Sequence, residues 1–210
     1  MIAPATLGLF GLAVLALLVS PGPNMAFVLS HGVAHGPRGG LAASLGIAAA
    51  DLVHTLCAAT GVTALVAASA PAFEVLRHVG ALFLLWLAWQ ALRARGSLAD
   101  PTAPSSGFAR IVWRAWLQNL VNPKALIFFM VFLPQFVDPV NGPIAPQLVL
   151  LGVLLSLVGL LFHAVLGVCG GQVGRWMQGR RGAARLPQRL LATMMAGLAL
   201  RLLLLDRPVR

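Results

Sequence analysis

The sequence is poor in charged residues, and acidic residues are especially scarce. Charged side chains make up 10% of the 210 residues, and only 5 residues are aspartate or glutamate, whereas an ordinary globular domain is about 25% charged. Hydrophobic residues make up 59%, and the mean hydropathy is +0.89. This composition excludes a soluble globular domain and indicates a polytopic membrane protein.

Paired cysteines and a nucleic-acid-binding surface are also missing. The two cysteines, Cys57 and Cys169, fall in apolar runs without paired spacing, so we expect neither a disulfide framework nor a zinc site. The net charge of +10 comes mostly from arginines in short stretches between apolar runs, with no basic groove or aromatic platform of the kind a nucleic-acid binder needs. We predict no metal, no other cofactor and no nucleic-acid partner.

Apolar runs are long enough to cross about 30 Å of hydrocarbon six times. They cover approximately residues 5–34, 40–69, 72–93, 109–136, 146–172 and 188–205. The first run lacks a basic N-terminal region and continues past an internal break, which argues against a cleaved signal peptide. Arginines concentrate in the odd-numbered connections, so the positive-inside rule makes these connections cytoplasmic and puts both termini outside.

The stretch Ser20-Pro21-Gly22-Pro23-Asn24 interrupts the first run. Each proline removes a backbone donor and the glycine weakens the helix further, so a helix must break or kink here. Backbone groups freed at this depth need a protein-lined or hydrated cavity, because lipid cannot satisfy them. We therefore expect a binding site in which a broken helix end attracts a carboxylate. The alternative is a kink that only shapes helix packing.

A second interruption, Asn119 to Lys124, lies in the fourth run, with Pro123 one hundred positions after Pro23. Broken segments in corresponding halves point to a transporter site near the bilayer midplane. A linker-like stretch at about 96–106 separates residues 1–95 from residues 107–210, with three runs on each side. We predict one all-α membrane domain over residues 1–210, with six transmembrane helices in two inverted three-helix repeats and broken first and fourth helices.

Charged side chains inside the apolar runs are few enough to consider singly. Lys124 is the only lysine, and because a charge at membrane depth costs about 2.5 to 3.5 kcal/mol it should face the interior with a partner. The alternative is a lysine that snorkels to the headgroups. Asp51 shares a helical face with His54, and we predict that the two couple a proton. Alternatively Asp51 neutralises Lys124 in an ion pair, and both roles can hold.

Our remaining expectations concern binding and packing. The expected substrate-binding residues are Pro21, Gly22, Pro23, Asn24, Asn119, Asn122, Pro123 and Lys124, and we predict no catalytic residue. We interpret His163 as a packing or cavity histidine, and Gln118 and Gln135 as cavity or gate groups. The four-residue spacings Gly167/Gly171 and Gly170/Gly174 are typical of close helix packing and suggest a homodimer.

Several of these motifs together resemble the LysE/RhtB family of amino-acid exporters. They are Ser20-Pro21-Gly22-Pro23-Asn24, Gly39-Gly40-Leu41-Ala42-Ala43-Ser44-Leu45-Gly46-Ile47 leading to Asp51, and Asn119-Leu120-Val121-Asn122-Pro123-Lys124 with Phe132-Leu133-Pro134-Gln135-Phe136. The resemblance implies export of amino acids or close derivatives across the bacterial inner membrane, driven by the proton gradient as proton antiport. It does not supply the substrate, since members differ in the amino acids they move.

Two other classes stay open from the residues alone. An efflux transporter for metal ions or another small polar solute would need a fuller ligand set than Asp51 with His54. A membrane enzyme of the thiol-disulfide type would use Cys57 and Cys169, but these do not occupy corresponding places in the two halves. We therefore expect a transporter and not an enzyme, with an amino-acid substrate, protons and the lipid bilayer as its partners.

Overall fold

The computed structural model describes residues 2, 4–20, 22–68 and 107–170, together with positions 75, 78, 82, 85, 86, 89, 193, 196, 197 and 200. The linker at 96–106, most of the third and sixth apolar runs and most of the arginines used to orient the chain lie outside the described residues. Pro21, Gly171 and Gly174 lie outside them too. The predictions that concern these parts of the chain remain predictions.

Every regular element in the described ranges is helical. The elements are α1 (Pro4–Val19), α2 (Pro23–Ala68), α3 (Phe108–Leu120), α4 (Pro123–Ile127), a π-helical turn (Phe128–Phe132), two 3-10 turns (Leu133–Phe136 and Pro139–Asn141) and α5 (Ile144–Val168). The all-helical class predicted from the composition is confirmed for this part of the chain. Both predicted interruptions are present, since α1 ends at Val19 before Pro23 opens α2, and α3 ends at Leu120 before Pro123 opens α4.

Helix α2 reverses direction at Gly36, where φ is 67° and ψ is −163°. The next residue is Pro37, which has no backbone donor to continue the helix. The Asn119 side chain bonds both to the side chain of Asn24 and to the backbone carbonyl of Ile47, although a straight helix would hold these two residues about 34 Å apart. The segments 23–35 and 37–68 therefore form a helical hairpin.

Within the described part of the chain, two helical stretches are long and apolar enough to cross a membrane, namely Pro23–Gly61 and Ile144–Val168. A third span results if Phe108–Leu120 and Pro123–Phe136, bent by 56° at the second break, are counted as one. The first of these stretches contains the reversal at Gly36. Its straight part, residues 37–61, is about 37 Å long, which is enough for the hydrocarbon core.

Helix α5 packs antiparallel against residues 37–68 through its small residues. A Cβ at Gly167 would lie 2.7 Å from Gly40 Cα, and one at Gly152 would overlap the side chain of Thr55. The opposite face of α5 carries exposed leucines such as Leu161, which suit a lipid environment. Because glycine lacks a side chain, the two helices approach closely enough to bury polar groups between them.

The glycines Gly167 and Gly170 are used within the chain. Both are buried, Gly167 against Gly40 and Gly170 against the backbone of Gly32. These two glycines are therefore not available for the homodimer contact that their four-residue spacing suggested. The homodimer remains a prediction without support from these two residues.

A column of aromatic side chains supports the second break. The rings of Phe128 and Phe132 stack at 4.1 Å between centroids, Phe132 and Phe136 follow at 4.9 Å, and Phe10 of α1 meets Phe136 edge-on at 5.2 Å. All four side chains are buried. This packing holds the irregular segment after α4 against α1.

We predict that Gly167→Ala destabilises the fold. The added methyl group would meet the Gly40 backbone, which cannot move aside, and overpacking of this kind costs about 1 to 3 kcal/mol. Thermal unfolding of the purified protein in detergent should show a lower midpoint. Gly61→Ala is the matched control, because nothing lies within 4 Å of a Cβ there. Equal midpoints for the two variants would contradict the close crossing.

Candidate functional site

The two helix breaks meet through their asparagines. Asn24 Nδ2 donates to Asn119 Oδ1 at 2.9 Å. Asn24 Oδ1 accepts from Asn122 Nδ2 at 3.0 Å and from Gln118 Nε2 at 3.3 Å. Residues more than ninety positions apart are therefore joined, and the breaks predicted separately from the sequence form one structure.

Each break has a local cause. Pro23 occupies the first position of α2, and the Gly22 carbonyl accepts the first helical hydrogen bond, from Ala26 N at 3.0 Å. Pro123 likewise opens α4, and Asn122 caps this helix by accepting from Lys124 N at 3.1 Å. Proline at the first position and asparagine at the cap are the residue types that begin helices.

The side chain of Lys124 reaches across to the end of α1. Its Nζ donates to the backbone carbonyls of Leu17 at 3.3 Å and Ser20 at 3.2 Å. Leu17 lies in the last turn of α1 and Ser20 directly follows this helix. Carbonyls at a helix C-terminus lack helical partners, and the helix dipole is negative there. The ammonium is thus held at a helix terminus, as expected for a lysine that faces the interior, and the alternative of snorkelling to the headgroups does not describe this structure.

Asp51 lies behind the breaks and is held by Asn119. Asn119 Nδ2 donates to Asp51 Oδ1 at 2.7 Å and to the Ile47 carbonyl at 3.0 Å, and His54 Nε2 donates to the Asn119 carbonyl at 3.1 Å. Asp51 is 6% exposed and His54 is 2% exposed. The shared face predicted for Asp51 and His54 is confirmed. The alternative of an ion pair between Asp51 and Lys124 is not seen in this structure, where Asn119 holds Asp51 and the α1 carbonyls hold Lys124.

A cavity of about 50 Å³ lies between the breaks. Three ionisable side chains from three helices line it: Asp51 of α2, Lys124 of α4 and His163 of α5. Its polar wall is completed by Ser20, Gly22, Pro23, Asn24 and Asn122, and its apolar wall consists of Leu17, Leu18, Met25, Ala125, Phe128, Phe129 and Leu155. The cavity therefore offers both signs of charge beside an apolar surface.

The predicted site residues fall into two groups. Gly22, Pro23, Asn24, Asn122, Lys124 and Asp51 line the cavity, whereas Asn119, Pro123 and His54 stand behind it and support it. Gln118 belongs to the asparagine network, but Gln135 donates to the Val131 carbonyl one turn back and has no place in the cavity lining.

Sequence reasoning underrated His163 and missed the apolar wall. His163 is 4% exposed, and its Nδ1 is buried without a hydrogen-bond partner. A lone histidine in an apolar helix carries no signal of the direction in which it points. Phe128 and Phe129 follow the second break directly, and the π-helical turn that begins at Phe128 is a feature often found at functional sites.

The described residues include no group of three or more histidine, cysteine, aspartate or glutamate side chains that could hold a metal ion. Cys57 is exposed and Cys169 is partly exposed, and both are free thiols. Within the described ranges, the ionisable groups of the site suit a charged organic solute or a proton better than a metal ion.

Comparison with known proteins decides the class to which this site belongs. The family model of LysE type translocators matches residues 15–206. The chain belongs to the LysE type translocator family. It is therefore a membrane transporter and not an enzyme, and the resemblance found in the motifs is confirmed. No solved structure matches the chain.

Several curated relatives of this translocator are leucine efflux proteins. A leucine efflux protein of Klebsiella pneumoniae is 34% identical over 195 residues, which cover 90% of each chain. The leucine efflux proteins of Enterobacter sp. (strain 638) and Salmonella typhimurium are 32% and 30% identical over 191 and 190 residues, covering 89% of each chain. The similarity to these relatives extends over nearly the whole length, and the family match at residues 15–206 includes both breaks.

We predict that Asn119→Ala lowers the stability of the translocator. The substitution leaves the buried Asp51 carboxylate without its donor and removes one of the side-chain hydrogen bonds that join the two breaks. An unsatisfied buried group costs about 1 to 3 kcal/mol. The thermal unfolding midpoint in detergent should fall. The control is Asn141→Ala, which removes an exposed hydrogen bond to Asp138 and should change the midpoint little. An unchanged midpoint for Asn119→Ala would contradict the role of the network.

Proposed function

We propose that this translocator is a secondary exporter that moves an amino acid out of the cell across the bacterial inner membrane in exchange for protons. Leucine is the first candidate substrate, since the relatives with similarity over nearly the whole chain are named leucine efflux proteins. The observation that carries the proposal is the cavity at the meeting of the two breaks, with Lys124 and Asp51 on the same lining.

The lining is complementary to an amino acid with an apolar side chain. The substrate carboxylate would bind the Lys124 ammonium beside the first turn of α2, where backbone donors and the helix dipole favour an anion. The substrate ammonium would bind the Asp51 carboxylate. Its side chain would contact the apolar wall, where Phe128, Phe129 and Leu155 lie.

Exchange follows from competition for the same groups. Without substrate, Lys124 is occupied by the carbonyls at the end of α1, and a carboxylate would draw it away from them. A proton on Asp51 removes the charge that holds the substrate ammonium, so protonation and substrate binding oppose each other. Such competition supplies the difference in affinity that a coupled carrier needs.

Binding requires the breaks to move apart. A cavity of about 50 Å³ holds roughly three to five water molecules, and an amino acid is several times larger than one water molecule. We infer that α1 and α4 separate when substrate enters, as halves of a carrier rock about a central site. The six-helix inverted repeat with cytoplasmic odd-numbered connections remains our proposed architecture. Export of a metal ion has less support, because no ligand cluster occurs among the described residues.

We predict that Asp51→Asn and Lys124→Met each abolish gradient-driven leucine export. Loss of a buried charge contact costs about 2 to 5 kcal/mol, and every 1.4 kcal/mol is about a factor of ten, so export should fall more than tenfold. The measurement is efflux from proteoliposomes loaded with labelled amino acids, with a pH gradient imposed or collapsed. Asp138→Asn is the control, because its side chain caps a 3-10 turn away from the cavity.

The outcomes of this experiment distinguish amino-acid export, the roles of Asp51 and Lys124, and proton antiport. Export that needs the gradient and fails in both variants but not in the control supports the exporter and both charged roles. If no labelled amino acid moves while all the variants remain folded, the exporter is wrong. If leucine moves equally well without the gradient, export by proton antiport is wrong.

A further inference from the structure

Half of the buried polar atoms that lack a hydrogen-bond partner in the described ranges lie on two helical segments that contact each other. Among the described residues, six buried side-chain atoms lack a hydrogen-bond partner, and three of these lie on segment 23–35 and α3: His31 Nε2, His35 Nδ1 and Gln118 Oε1. The two segments are in contact, since Gln118 donates to Asn24. Such unpartnered groups are unusual, because buried polar atoms in native proteins nearly always have partners.

His31 and His35 lie in a line with Asn24 that starts at the cavity, and Gln118 bonds to Asn24 at the cavity end of this line. Asn24, His31 and His35 are separated by seven and four residues, so they share one face of segment 23–35. Asn24 lines the cavity, and His35 immediately precedes the reversal at Gly36. The line is about 16 Å long. On the predicted topology the Gly36 turn is at the cytoplasmic surface, so the line leads from the site to that surface.

The geometry around His31 prepares one nitrogen to accept a proton. Nδ1 donates to the Phe27 carbonyl at 3.0 Å, so in the neutral ring Nε2 carries the lone pair. The ring stacks on Phe27 at 4.2 Å and on His35 at 5.5 Å between centroids, which fixes its plane. His31 is 5% exposed and its Nε2 atom is buried, so this nitrogen is shielded from bulk water.

We propose that His31, His35 and Gln118 line a hydrated proton path between the central cavity and the Gly36 turn. This path rests on the proton antiport proposed above. Buried polar groups without protein partners are satisfied by internal water, and a row of such groups orders a chain of water molecules. His31 Nε2 accepts a proton from a hydronium ion on the cavity side, as an N–H bond forms and an O–H bond breaks, which leaves neutral water. It then gives the proton to water on the Gly36 side, where the N–H bond breaks and a new O–H bond forms.

His31 and Asp51 are placed for different tasks. His31 lies in the row of buried groups between the cavity and Gly36, where it can pass a proton on. Asp51 lies on the cavity lining, where a proton competes with the substrate ammonium. The path adds a route for protons and leaves the substrate contacts unchanged.

The test compares two activities of the full-length protein in proteoliposomes. One is proton movement driven by a leucine gradient, followed with an internal pH dye. The other is exchange of labelled for unlabelled leucine, which needs no net proton movement. For His31→Phe, which keeps the stacked ring but removes both nitrogens, we expect leucine-driven proton movement to fall about tenfold or more. Leucine exchange should be unchanged.

Two further variants test whether the effect comes from proton uptake by His31. His31→Gln keeps a side chain that hydrogen-bonds to water but cannot take up a proton, and it should fail like His31→Phe. Thr60→Val is the control, because it removes a polar group from the exposed face of the same long helix, where Thr60 bonds to the Leu56 carbonyl. It should leave both activities intact.

Several results would overturn the proton path. One is normal proton movement in His31→Phe, and another is normal proton movement in His31→Gln. A third is an equal loss of proton movement and of leucine exchange in His31→Phe, which would assign His31 to the fold or to a route for substrate. Leucine movement without protons in the wild type would overturn the antiport and the path with it. Normal coupling in the wild type and in His31→Phe would overturn the path alone.

Discussion

The hydrogen bonds of Asn119 are the interaction on which the rest of the described structure depends. One side chain bonds to Asn24 at the first break, to the Ile47 carbonyl and to the Asp51 carboxylate. It is fully buried, so each of these groups would be costly without it. Because Asn24 and Ile47 are on opposite arms of the α2 hairpin, Asn119 also fixes how that hairpin closes around α3. The position of the cavity follows from this closure.

Charge is kept inside the bundle by helix ends and amides instead of by ion pairing. Lys124 is held by carbonyls at the end of α1, and Asp51 is held by an amide. Each charge therefore keeps a partner that a substrate group or a proton can replace. A direct ion pair would be harder to separate, because removing one partner of a buried pair leaves the other charge uncompensated. The arrangement suits a carrier, which must release whatever it binds.

Close packing of glycines allows this polar centre to exist within lipid. A Cβ at Gly159 would lie 3.8 Å from Asp51 Oδ2, and Gly167 meets the Gly40 backbone, so α5 covers the carboxylate and brings His163 to the cavity. The aromatic column from Phe128 to Phe136 supports the other side of the second break. The irregular segments at the centre are thus enclosed by regular, tightly packed helices, as unpaired backbone at membrane depth requires.

The sequence by itself determined where the helices break, which charges are internal and to which family the chain belongs. Proline chemistry acts locally and insertion of a charge into lipid has a fixed cost, so the roles of Pro23 and Pro123 as helix starts and the interior positions of Asp51 and Lys124 could be predicted without a fold. Only the tertiary structure decided the partners: Lys124 with α1, Asn119 with Asp51, and His163 in the cavity. Such pairings depend on which helix faces lie together, and helical periodicity specifies a face without specifying its neighbour.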